Sequence, residues 1–380
     1  MDFEVDVIRT FVEPVKLRDG TLLGLDWKTL HGMVSTDSGR TWRDSGPLRD
    51  ASGRVLEGSG KSNGYVVHIL RLKTGEIAVK YDVGHSRYDL GGSPRSTSYF
   101  TRSADEGQTW SAPVQITPTG TPSHTSWVVE MADGRLVLPN EYAYSQPGED
   151  KRPKFAICTS FNSVDGGRTW QESRDAIWLQ NDDGTVLDYC EIPTATETPS
   201  GGMLMLARTR YQRMGESHSA DGGHAWSPMR LNGLVSSCAE IFLDRVPGSS
   251  DIYCIWNQAT AEEVAKGYYR ARLTSAISRN GGVTWESFRT VAASPGMEEV
   301  ARIQPAGTPV YTPVPGAVPT EQEMVAPEFH MNRAPRAKVI DGTLYVAYTH
   351  RRYRYVNGKQ TKLHDAVKLR AVPVEWLWGK

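Results

Sequence analysis

Short runs of alternating apolar and polar residues fill this chain, and the runs come in pairs. Around Asp133-Gly134 the flanks read TSWVVEMA and RLVLPNEY; around Asp341-Gly342 they read RAKVI and TLYVAYTH. A period of two on both sides of a tight-turn dipeptide predicts a β-hairpin. Equivalent turn signals stand at Asp19-Gly20, Thr74-Gly75, Ser200-Gly201-Gly202 and Pro247-Gly248. No stretch sustains a helical period, so helix is expected only as short turns within loops.

A second pattern interleaves with the first. The motif S-x-D-x-G-x-T-W occupies residues 35–42, 103–110 and 163–170. Two further copies, at 219–226 and 278–285, carry Ala225 for Thr and Asn280 for Asp. The copies fall roughly 60 residues apart, a repeat too long for a helix pair and suited to a four-stranded sheet. Five of the six hairpins precede a copy. Each unit therefore reads as one hairpin, a variable loop and a second hairpin whose turn holds the motif. The expected fold is all-β: a six-bladed propeller of four-stranded antiparallel blades in one domain over residues 1–380. The sixth unit lacks the motif, and residues 3–10 (FEVDVIRT) are expected to supply its outer strand and close the ring. Residues 295–330, rich in Pro and Glu, are expected as an excursion between blades five and six, either plain surface or a lid or dimer contact.

Composition agrees with this picture. The 380 residues include 36 Gly and 11 Trp, which suits many tight turns and large packing groups. Net charge is −1, so no global field favours nucleic acid or an anionic membrane. No apolar run reaches the ~20 residues that span a bilayer. The opening MDFEVDVIRTFVEP lacks the basic and apolar regions of a signal peptide. That favours a cytoplasmic location over a periplasmic or secreted one reached with a leader since removed. Cys158, Cys190, Cys238 and Cys254 show no metal-ligand spacing and are expected as small buried residues. No cofactor motif is present; a structural Ca²⁺ in the channel stays open. Oligomeric state is not readable.

A motif found in five blades is scaffolding, not a single active site. Asp can accept backbone N–H groups, Gly permits positive φ, and Trp packs between sheets. In such a blade both hairpin turns point to one face, so chemistry is expected on the other, around the central channel. The strand ends there hold Trp27, Asp82, His85, His124, Glu141, Tyr189, Glu191, Arg208, Asn257, Arg270, Arg272, Arg333 and His350. Carboxylates, arginines and aromatics around one bowl suit an anionic sugar. The basic, aromatic run from His350 to Tyr355 is expected to bring a loop to that sugar rather than to bind nucleic acid.

The repeats resemble Asp boxes, and the chain from about 10 to 350 resembles the sialidase superfamily of six-bladed propellers with BNR repeats. The resemblance implies a carbohydrate-active enzyme without a cofactor, acting on an acidic-sugar glycan. Cys190-Glu191-Ile192-Pro193, followed by Arg208, is similar to the family's blade in which a glutamate precedes an arginine that grips the substrate carboxylate. Arg272 or Arg270 matches a second such arginine. Glu191 or Glu197 matches the glutamate that orients the nucleophile. Three departures stand out. Glu13 precedes Pro14 where the family has Arg. Asp26 is the only acid in the shortened loop Leu25 to His31. No Tyr lies in the stretch Asn332 to Arg336.

Three functions follow as expectations. An exo-glycosidase would use Arg208 and Arg272 for the substrate carboxylate, with Glu191, Asp82, Glu141 and Asp26 as acid and base candidates. A uronate-directed lyase would use His85 or His124 as base and Tyr189 as acid. A non-catalytic propeller would bind glycan at the same bowl.

Overall fold

In the computed structural model, residues 2–56, 67–85, 95–119, 121, 123–144, 155–311 and 318–379 are described. Six antiparallel sheets follow one another around a central channel. Blade one comprises Phe11–Lys16, Leu22–Asp26, His31–Ser35 and Arg43–Pro47. Blade two comprises His68–Arg71, Ile77–His85, Arg95–Ser103 and Val114–Gln115, and blade three runs from Ser123–Thr125 to Gln171–Glu172. Blade four comprises Cys190–Glu197, Met203–Thr209, Arg213–Ser219 and Arg230–Val235. Blade five comprises Phe242–Arg245, Ile252–Asn257, Arg272–Ser278 and Glu286–Ala293. In blade six, Phe329–Ile340, Thr343–Val356 and Lys359–Pro373 are completed by Phe3–Val7, whose Phe3 pairs with Ala371. The N-terminal strand thus closes the ring, as the sequence predicts.

The apolar positions of each hairpin meet those of the next blade. Leu23, Leu25, Ile77 and Val79 join blades one and two. Leu204, Leu206, Ile252 and Cys254 join blades four and five. Phe11 and Met33 pack on Tyr345 and Leu369 to join blades one and six. Burial therefore runs between sheets rather than within one. Among the described residues, helix is confined to Ala261–Ala265, capped by Thr260 and Glu263, and to two short 3₁₀ turns. No helix among the described residues is long and apolar enough to cross a membrane. All four cysteines are buried and free.

The Ser hydroxyl and the Asp or Asn side chain make the same turn in each copy, while the indole bond forms only at Trp42, Trp170 and Trp226. In the first, Asp37 Oδ1 accepts the Ser35 hydroxyl at 2.8 Å and the Thr41 backbone N–H at 2.9 Å. Its Oδ2 accepts the Thr41 hydroxyl at 2.6 Å, and the Trp42 indole donates to Gly39 O at 2.9 Å. The turn is also a fastener. Gly167 has φ +84°, and a Cβ there would lie 2.3 Å from the Phe100 ring of the preceding blade. Gly282 stands in the same relation to Leu204. Blade six has no copy. The C-terminal turn Val374–Trp378 fastens it to blade five instead, with Leu377 fully buried in their shared core.

Candidate functional site

Three inner strands carry irregularities at their loop-face ends, each at a proline: Val12/Val15, Glu191/Thr194 and Arg333/Arg336. Inner strands are edge strands on the channel, where Pro needs no ladder partner, and a bulge re-aims the side chains beside it. Ile192 and Ala334 take φ of +51° and +52° at two of these points. Glu13, Glu191 and Arg333 are the residues so placed.

Glu191 and Arg208 face each other across blade four, and the Arg208 Nε donates to Glu191 Oε2 at 2.5 Å. From blade three, the Glu141 carboxylate accepts the backbone N–H of Ile192. Burial raises the Glu141 carboxyl to about 8, against the opposing pull of that N–H and of Arg208. It is therefore a neutral acid at pH 7. Tyr189 lies beneath Arg210, whose guanidinium carbon is 3.8 Å from the ring centroid. Burial pushes the Tyr189 phenol up, and it is 1% exposed. Arg210 also reaches the Tyr311 hydroxyl at 3.4 Å, so the segment after blade five comes back over blade four at this rim.

The centre of the cluster is Glu240, in the loop before blade five. Arg270 Nη2 lies 3.6 Å from its Oε2, and Arg333 Nη1 lies 3.9 Å from its Oε1. Burial would raise the Glu240 carboxyl, but Arg270, Arg333 and Arg208 together outweigh it and hold it well below the usual carboxylate range. Burial and the other arginines lower Arg270 to about 10, with Glu240 opposing. Three arginines meet two carboxylates and one neutral acid, so the bowl is cationic.

Other residues named from sequence are engaged elsewhere. Arg272 is bidentate to Glu263, at 2.8 and 3.0 Å, and donates to Gln258 O and Glu298 O. The Asn257 amide stitches blades five and six through Arg272 O and Asn332 O. Asp82 is fully buried against Lys80 at 2.9 Å and the Ser98 hydroxyl at 2.6 Å. Trp27 is half-buried on the core of blades one and two. His350 bonds Asn332 at 2.9 Å and faces a separate polar cleft with His330 and His364. Asp26 caps its own turn by accepting Lys28 N–H. Glu197 is spent at the turn face on Arg245 and Ala132 N–H. His85 ends a strand of blade two and His124 lies in blade three; their side chains lie outside the described residues. The basic run at 350–355 is neutralised: Arg352 pairs with Glu328 at 2.8 Å and Arg351 with Asp365 at 3.1 Å.

Below the bowl, Glu13 closes the channel with His68 Nε2 at 3.8 Å and Arg336 Nη1 at 3.9 Å. His68 Nδ1 accepts Val128 N–H, so its proton sits on Nε2, toward Glu13. A cavity of ≈ 540 Å³ opens at the turn-face end, lined by Trp127, Glu130, Asp244 and Lys338 among others. It is larger than the cleft at His350 but lies at the end away from the arginines. Among the described residues, no three His, Cys, Asp or Glu side chains come together as a metal site.

Neither Glu240 nor Tyr311 is among the residues singled out from sequence. The signal for Glu240 was its position two residues after Cys238, at the start of an inner strand facing Arg208 on the strand next door.

Residues 33–336 match the model of the BNR repeat-like domain. The chain belongs to the BNR repeat-like family. Its fold is a six-bladed propeller of four-stranded antiparallel blades. Comparison with curated protein sequences gives no match. Among solved structures, a Hadza microbial sialidase, Hz136, superposes with a TM-score of 0.59 at 17% identity, covering 99% of this chain and 69% of that one. The intramolecular trans-sialidase of Ruminococcus gnavus gives 0.56 at 14%, covering 98% and 96%. The NanB sialidase of Streptococcus pneumoniae gives 0.57 at 11%, covering 97% and 70%. At such identities the likeness speaks for the fold. Within this BNR propeller, the third arginine of the cluster comes from blade six, as Arg333, while blade one offers Glu13.

Proposed function

We propose that this BNR propeller is an exo-acting glycosidase that releases a terminal acidic sugar from a glycan, without a cofactor. The observation that carries the reading is the cationic cluster of Arg208, Arg270 and Arg333 at the loop-face rim, with carboxyl groups interleaved. Arginine forks match a carboxylate in shape and charge. The three sialidases above share the fold, which supports a sugar as ligand.

In this reading Arg270 and Arg333 hold the substrate carboxylate. Glu141, kept protonated by burial, gives its proton to the leaving oxygen. Glu191 is fixed by Arg208 as the ionised partner. A glycosidase needs such a pair, one acid neutral and one charged. The elimination route would instead use His85 or His124 as base and Tyr189 as acid. Tyr189, the acid named for that route, lies under the Arg210 guanidinium and is pushed upward by burial.

The test is digestion of sialic-acid-capped and uronate-capped oligosaccharides, followed by mass spectrometry and ultraviolet absorbance. Products that together gain one water, without new absorbance, support the reading. An unsaturated product absorbing in the ultraviolet would replace it with a lyase. Binding without turnover would replace it with a glycan-binding propeller.

A further inference from the structure

Three of the five arginines near the bowl are engaged, Arg210 by the Tyr189 ring and the Tyr311 hydroxyl. Arg208 is locked to Glu191, and Arg272 to Glu263. Arg270, Arg333 and Glu240 differ. Their ion pairs stand at 3.6 and 3.9 Å, beyond the roughly 2.7–2.9 Å of a charge-assisted hydrogen bond. Glu240 Oε2, Arg270 Nε and Arg333 Nε are all buried without a hydrogen-bond partner. Buried polar atoms are nearly always partnered, so three groups in mutual contact without a protein partner are suited to hold a polar ligand.

The inventory of that site is specific. Two guanidinium groups offer only donors, and the carboxylate offers only acceptors. An anionic group satisfies the arginines but leaves Glu240 beside it without a donor. A ligand that satisfies all three carries a carboxylate and a hydroxyl next to it. Acidic sugars divide on this point. In a hexuronic acid the carbon bearing the carboxylate neighbours C4, which carries a hydroxyl. In a 3-deoxy-2-ulosonic acid such as sialic acid, the neighbouring ring carbon is a methylene. Glu240 would then face CH₂, desolvated and unpaired, which is the costly arrangement.

We propose that Glu240 selects a terminal hexuronic acid over a 3-deoxy-2-ulosonic acid, accepting the C4 hydroxyl while Arg270 and Arg333 hold the carboxylate. The inference rests on the acidic-sugar reading and names the sugar class within it.

Calorimetry on the wild-type protein tests it with three ligands: a methyl hexuronide, its 4-deoxy analogue and a methyl sialoside. The hexuronide is expected to bind tighter than either of the others by about tenfold or more, the worth of one hydrogen bond to a charged group. Glu240→Ala is expected to erase that difference, and the wild-type comparison stands even if the variant fails to fold. Equal affinity for the hexuronide and its 4-deoxy analogue, or tighter binding of the sialoside, overturns the inference and leaves the acidic-sugar reading standing. No binding of any acidic ligand defeats both.

Discussion

The indole N–H of Trp378 donates to Asp251 Oδ2 at 2.7 Å, tying the C-terminal turn to blade five. Arg289 stacks on Trp376 beside it, 4.6 Å from the ring centroid, and donates to Trp376 O at 3.1 Å. This turn does for blade six what the Asp box does for the others. Trp378→Phe keeps most of the ring and loses the bond, and is expected to cost about 1 kcal/mol. Removing residues 374–380 also exposes the core around Leu377 and should cost several times more, about 3 kcal/mol or above. Urea unfolding midpoints of the two variants measure both. Equal midpoints for the truncation and the wild type would mean that the turn fastens nothing.

The Asp boxes give the fold an acid limit. At Asp37 the Thr41 hydroxyl and backbone N–H hold the carboxyl down at about 2. At Asp165 burial works upward, and the Thr169 backbone and hydroxyl outweigh it to the same value. Depressed carboxyls contribute stability that is complete above the unfolded value near 4 and lost as pH falls through about 2. Asn280 already fills this role in blade five without a charge. The double variant Asp37→Asn, Asp165→Asn should therefore lose less melting temperature than the wild type between pH 4 and pH 2.

Arg270 and Arg272 are two residues apart and should behave oppositely. Arg272→Lys breaks a bidentate pair to Glu263 and should destabilise the protein by about 2 kcal/mol or more. Arg270→Lys disturbs only a loose pair and should leave the melting temperature within a few degrees. Its expected effect is on the substrate: KM rises about tenfold or more on an acidic glycoside. Parallel melts and kinetics on the two variants separate these roles.

Glu141 ties stability and activity to the same proton. Its folded carboxyl titrates at about 8, so the folded state keeps a proton that the unfolded chain releases near 4.3. Stability should therefore fall as pH rises from about 4.5 toward about 8. Hydrolysis should fall as pH passes about 8, because the acid is then spent. Glu141→Gln keeps an acceptor for Ile192 N–H and should make the stability profile shallower, with Glu13, raised by burial to about 7, still sloping it, while abolishing turnover of glycosides with poor leaving groups. A variant with an unchanged alkaline limb would remove Glu141 from the chemistry.

The repeats made most of the fold legible. Five S-x-D-x-G-x-T-W copies and six hairpin turns set the blade number, and a blade without a copy pointed to the N-terminal strand. The site was less legible because its working groups are chosen by neighbours far away in sequence. Arg272 is spent only because a short helix at Ala261–Ala265 carries Glu263 to it, and no periodicity announces that partner. Arg270, in the loop before the strand, escapes it. Asp82 has the right position along its strand, yet Lys80 and Ser98 enclose it. Glu191, Arg208 and Arg333 were readable because strand ends and X-Pro bulges place them at the rim. Glu240 takes its meaning only from the two arginines around it, which come from distant parts of the chain.

The central claim is that this rim binds an acidic sugar through Arg270 and Arg333. Isothermal titration of a hexuronic acid against the matching neutral hexose, on the wild type and on Arg333→Gln, tests it most directly. The account predicts that only the acid binds measurably and that its affinity drops about tenfold or more in the variant. Equal affinity for the neutral hexose, or an acid affinity untouched by Arg333→Gln, would contradict it.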